Sequence, residues 1–145
     1  MELVSFKKIN MLRVKIKLSE SKIDGAGIGL FANEFIKKDT IIWEFVPFID
    51  LEFSQSEYDN INGLDKEFLT KYCFKYIGKY YLCVDNARFF NHSDNPNCYS
   101  ADFTENSLGY TRAKRDIEIG EELTDDYLGF GFTEDDKEFN NINNK

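Results

Sequence analysis

Mostly β structure in a single domain is what this sequence predicts, and three observations carry that reading. Fourteen phenylalanines and eight tyrosines are present, and aromatic side chains suit the half-buried pleat of a sheet better than the stripe of a helical bundle. Apolar residues make up 42% of the chain, which excludes a fully disordered one. The 145 residues suffice for one domain with its own core and fall short of two ordinary domains.

The elements follow in order. LRVKIKLS alternates apolar and basic residues over 12–18, an amphipathic strand with Val14, Ile16 and Leu18 expected on the core side. DGAGIGLFA then packs three glycines into five residues. TIIWEFVPFI is rich in β-branched and aromatic residues and reads as a strand ending near Pro47. SQSEYDNING reads as a loop or a weak helix. From Asp65, a plausible N-cap, the positions Phe68, Leu69, Tyr72, Cys73 and Tyr76 keep helical spacing. KYYLCVD reads as a strand and NHSDNPN as turns. YTRAKRDIEIGEELTDDY suggests a strand, a turn at Gly120 and a short acidic element. The expected domain is 11–132, between a leader over 1–10 and an acidic tail over 133–145 that frays.

Charge and cysteine usage narrow the function. Net charge is −8, and residues 116–145 hold ten acidic groups against two basic ones. A phosphate backbone needs clustered Lys and Arg, so direct nucleic-acid binding is disfavoured. An acidic surface speeds encounter with basic peptides instead, although a solvated acidic face is the plainer account of the tail. Cys73, Cys83 and Cys98 are an odd number without a C-x-x-C pair, which fits neither a disulfide framework nor a zinc cluster. Reduced thiols in an intracellular protein are the expectation. Lysines and Arg13 interrupt the early apolar runs, so no signal peptide is read, and no run reaches membrane-spanning length.

Three segments could carry chemistry. Close glycines let the backbone turn tightly and approach a ligand. A phosphate cradle would require a following helix, and LFANEFIKKDT leads toward a strand. His92 is the only histidine. Taken alone it reads as structural, with no second imidazole for a metal and no nucleophile elbow. Tyr127 sits between an acidic run and the pair Phe130 and Phe132, where a phenol and aromatic faces suit a cationic substrate.

In combination these segments say more. In chain order DGAGIGLFA, RFFNHSDNPN and GEELTDDY closely resemble the motifs of the SET-domain family, protein-lysine methyltransferases that use S-adenosylmethionine. The resemblance covers about residues 12–130. It implies a β-clip of several small sheets with a short helical insert. It also implies a C-terminal pseudo-knot formed by the second and third motifs, a rare threading. Gly27, Ile28 and Gly29 would face the methionine end of the cofactor, with Gly25 a turn residue. Asn91 and His92 would hold the cofactor from the opposite side, and Arg88, Pro96 and Asn97 would be structural. Tyr127 matches the family's catalytic tyrosine and would also border the cofactor. YCFKYIGKYYLCVD resembles the stretch that lends a second tyrosine to the lysine channel, with Tyr72 as the candidate.

Two positions depart from the family pattern. Asp94 stands where many members have a zinc-ligating cysteine, so no metal is expected, and Phe130 or Phe132 would cover the cofactor. Asp125 stands where the family has Phe or Tyr, and there it could steady a methylammonium, hold water or face solvent. The resemblance thus implies a lysine methyltransferase without accessory domains, acting on a basic, histone-like or ribosomal protein. It would work inside the cell, in the cytoplasm of a bacterium or the nucleus of a eukaryotic or virus-infected cell. A catalytically weak binding module on the same fold is the alternative.

Overall fold

Residues 11–101 and 108–127 are described by a computed structural model of the chain. The expected leader and tail, Phe130 and Phe132 lie outside the described residues. The glycine-rich segment forms one side of a hairpin: β1 (Ile16–Glu20) pairs antiparallel with β2 (Ile28–Ala32), Ile16 opposite Ala32 and Glu20 opposite Ile28. Leu30, Phe31 and Ala32 are all buried, so β2 is covered on both faces. The alternating run is a strand only from Ile16. Val14 and Ile16 pack on the core as expected, but Leu18 is 39% exposed, because the strand runs past the edge of that cluster.

A second sheet has the order β3 (Ile41–Glu44), β9 (Tyr110–Ala113), β8 (Cys98–Ala101), all antiparallel. A third has the order β4 (Leu51–Ser54), β6 (Lys79–Leu82), β5 (Phe74–Tyr76). Two helices lie between β4 and β5. In α1 (Gln55–Asp59), Ser54 and Glu57 form a reciprocal capping box, each side chain bonded to the other's backbone N–H. α2 (Gly63–Tyr72) starts two residues before the expected cap. Asn62 is the extended flanking residue, so Asp65 falls in the first turn, where its charge suits the helix dipole.

Leu30, Ile36, Ile42, Cys98, Ile117 and Leu123 form the centre of the main core, each almost without exposure. The second core lies under α2, where Tyr58 stacks on Tyr80 with centroids 3.7 Å apart beside Leu69, Cys73 and Leu82. Among the described residues no helix is long and apolar enough to cross a membrane.

The last described segment joins the motifs. Residues 120–123 bond to β2 through Gly120 N–H to Ala32 O (2.9 Å), Ala32 N–H to Glu121 O (2.9 Å) and Leu123 N–H to Leu30 O (2.7 Å). Immediately after, β10 (Thr124–Asp125) pairs in parallel with β7 (Asn91–His92). Asn97 closes the junction, donating to Glu122 O (2.8 Å) and accepting from Thr124 N–H (2.9 Å). This is the meeting of the second and third motifs that the pseudo-knot expectation required. It also corrects the turn reading at Asn91 and His92: pairing with β10 makes them a short strand.

Candidate functional site

The two glycines of Gly27-Ile28-Gly29 meet different surroundings. Gly27 has a φ of 75°, a conformation that favours glycine, and nothing lies within 4 Å of where a Cβ would stand. A Cβ on Gly29 would lie 2.3 Å from Glu122 Oε1 and 3.2 Å from the Phe31 ring. One glycine leaves open space and the other is packed against the protein. Gly25 has a φ of 75° in the hairpin turn.

Gly27 also lines a pocket of about 110 Å³ together with Ala26, Ile28, Tyr72, Phe89 and Asn91. Lys71 and Arg88 add positive charge to its wall. Tyr72 is the last residue of α2, and its ring packs at 5.6 Å on Phe89 and 4.9 Å on Phe68. The helical reading of this stretch holds only as far as Tyr72: Cys73 is extended and Phe74–Tyr76 pairs as β5, so Tyr76 leaves the helix while Tyr72, at its end, lines the pocket.

Successive side chains of a strand point to opposite sides, and β7 uses this. Asn91, buried, donates its amide to Ile28 O and to Glu122 Oε1, both at 3.0 Å. Because both neighbours are acceptors, the orientation of the amide is fixed. His92 turns the other way. Its Nδ1 accepts from Tyr127 N–H at 3.1 Å, so the ring proton lies on Nε2, 3.0 Å from Asp94 Oδ1. The imidazole braces the backbone of Tyr127, with its ring 5.4 Å from the tyrosine ring.

Tyr127 donates its hydroxyl to Phe90 O. Burial, then the neighbouring acids Asp125 and Glu122 and the Cys83 thiol, push this phenol well above its ordinary range. It stays neutral at any physiological pH, with its proton committed and its oxygen left as an acceptor.

Asp125 does not face solvent. It is 4% exposed, and its carboxyl oxygens accept from Ser100 Oγ (2.9 Å) and Asp126 N–H (2.8 Å). Burial raises its pKa from 3.8 to about 6, against the lowering effect of those bonds and of His92. The neutral form is the one the fold favours. Stability from this group is therefore complete below pH 3.8, falls as pH rises toward about 6, and is gone above it. Asp125→Asn keeps both partners, since Ser100 can turn to accept. We expect the variant to gain stability on the parent by about 2 kcal/mol between pH 4 and pH 7. Chemical denaturation at the two pH values checks this, and a pH-independent difference would refute it.

The structure thus gathers Gly27, Ile28, Tyr72 and Asn91 around one pocket, whereas His92 and Tyr127 pair with each other and are not among the residues that line it. Gly29 belongs to the packing against Glu122. Sequence reasoning missed Phe89, Lys71 and Glu122, and gave Arg88 a structural role alone. Arg88 does bond to Val84 O and Asp85 O, but it also lines the pocket. The three cysteines are buried and unpaired, and no group of three or more His, Cys, Asp or Glu among the described residues could hold a metal ion.

Comparison with known proteins points the same way. The family model of the SET domain matches residues 27–128. The histone-lysine N-methyltransferase SETD1 of Drosophila melanogaster is 32% identical over 133 residues, covering 87% of this chain and 8% of the fly protein. Human histone-lysine N-methyltransferase SETD1B is 30% identical over 132 residues, covering 87% of the chain and 7% of the human protein. A Schizosaccharomyces pombe histone-lysine N-methyltransferase, H3 lysine-36 specific, is 32% identical over 84% of the chain and 15% of its own length. The chain therefore spans a small part of each of these relatives. A solved Plasmodium falciparum structure, described as a candidate histone methyltransferase, superposes with a TM-score of 0.55 at 22% identity. It covers 80% of this chain and 95% of its own, and supports the fold.

Proposed function

Because the chain belongs to the SET-domain family, we propose that it is a protein-lysine N-methyltransferase that moves a methyl group from S-adenosylmethionine to a lysine side chain. The observation that carries this reading is the pocket where Gly27, open at its Cβ position, meets Asn91 and Tyr72.

The residues fit such a cofactor. Gly27 presents bare backbone, Asn91 presents an amide fixed by its own bonds, and Ile28 and Phe89 supply apolar wall. Gly29 and His92 serve the same site by packing and bracing. When bound, S-adenosylmethionine supplies an electrophilic methyl on a sulfonium. The remaining work is orientation and exclusion of water.

A lysine amine, with an ordinary pKa of ~10.4, has to be neutral to attack, and a dry environment lowers that value. Tyr127 cannot act as a phenolate base, since its pKa is raised. Its hydroxyl hydrogen is held by Phe90 O, so its oxygen can accept from the amine and orient it. Tyr72, at the pocket wall, is the second tyrosine of the reaction.

The substrate class follows from charge. A net charge of −8 favours a basic partner, a histone-like or ribosomal protein, met inside the cell. Transfer of labelled methyl groups into basic proteins of a cell extract tests the reading.

A further inference from the structure

Glu122 is an acid with three donors from two distant parts of the chain. Its Oε1 accepts from Ser21 Oγ at 2.7 Å and from Asn91 Nδ2 at 3.0 Å, and its Oε2 accepts from Lys22 N–H at 2.8 Å. The residue is 9% exposed, and its carboxylate rests where a side chain on Gly29 would have to go. Its own backbone is pinned as well, by the bridge to Phe31 and by the Asn97 amide on its carbonyl. One carboxylate thus ties the hairpin turn before Gly27 to the strand that carries Asn91.

From this geometry we propose that Glu122 is a positioning residue for the cofactor: it fixes the distance between the Gly27–Gly29 backbone and Asn91, and the direction of the Asn91 amide. The inference rests on the methyltransferase reading of the pocket. The physical ground is that Asn91 Nδ2 lies between two acceptors, Ile28 O and Glu122 Oε1. Only a carboxylate, which has no hydrogen to donate, can accept on both oxygens at once. A glutamine of the same shape would turn its amide hydrogens either toward Lys22 N–H or toward Asn91 Nδ2. In the first case the turn loses its anchor. In the second the Asn91 amide is driven to reverse, bringing its oxygen against Ile28 O.

Glu122→Gln tests this, because it keeps the packing volume against Gly29 and removes only the accepting pattern. Calorimetric titration with S-adenosylmethionine should show affinity weakened about tenfold or more, the effect of one or two lost hydrogen bonds. Turnover at saturating cofactor should stay within about threefold of the parent, so the loss appears in KM. Affinity equal to the parent's, whatever the change in Tm, would overturn the proposal and leave Glu122 a packing residue. If Glu122→Gln does not fold, Ser21→Ala replaces it, removing one donor to Glu122, together with the acceptor of Ile23 N–H, and no pocket-lining atom. It should weaken affinity about threefold, and unchanged affinity would again overturn the proposal. Failure of the unsubstituted protein to bind S-adenosylmethionine would instead bring down the functional reading, and this inference with it.

Discussion

Tyr127→Phe should cut kcat by about 100- to 1,000-fold while the chain still melts cooperatively, the range lost when a preorganised polar group at a reacting centre is removed. The phenol oxygen is the group lost, and with it the acceptor that Tyr127 offers once its proton is given to Phe90 O. The fold loses that one hydrogen bond, worth about 1 kcal/mol, or roughly 2–4 °C in Tm for a domain of this size. The backbone N–H of Tyr127 still reaches His92 Nδ1, so the ring stays in place. Rate measurement with saturating cofactor, beside a thermal melt, checks both parts. Turnover near that of the parent would remove Tyr127 from the catalytic role.

Gly29→Ala should destabilise the chain by about 3 kcal/mol, roughly 10 °C in Tm. The added methyl would sit 2.3 Å from a carboxylate oxygen and 2.8 Å from its carbon, so Glu122 has to move. It cannot move without releasing Ser21, Lys22 N–H and Asn91, all held inside a mostly buried site. Gly27→Ala makes the contrast. No atom opposes its methyl, so the cost is the roughly 1–2 kcal/mol of a left-handed conformation. Gly27 lines the pocket, so cofactor affinity should suffer more than stability. Melting curves and cofactor titrations of the two variants separate the two roles, and equal behaviour would contradict the assignment.

Much of the candidate site was legible because the residues proposed for it are local in sequence. Gly27 to Gly29, Asn91 to His92 and Asp126 to Tyr127 each stand inside a short motif, and the motifs together imply the fold. Glu122 was not legible. It has an identical neighbour, Glu121, which pairs on the surface with Arg115, while Glu122 turns inward to partners about 100 residues away. Nothing local separates the two letters. The strands over 51–54 and 98–101 escaped notice because they are short, mixed in polarity and half exposed, so their pairing partners define them. The Ser54–Glu57 capping box was written in the sequence as S-x-x-E and is a signal that could have fixed the start of α1. At Asp125 the letter was read but not its surroundings, since burial beside Ser100 is a product of the β8 and β10 packing.

The central claim is that this pocket serves methyl transfer to lysine. Incubation of the purified chain with S-adenosylmethionine labelled at the methyl group and a cell extract, followed by mass spectrometry of the labelled proteins, tests it most directly. The account predicts label on lysine side chains of basic proteins, lost with Tyr127→Phe. Cofactor binding without any transfer, or label on residues other than lysine, would contradict it.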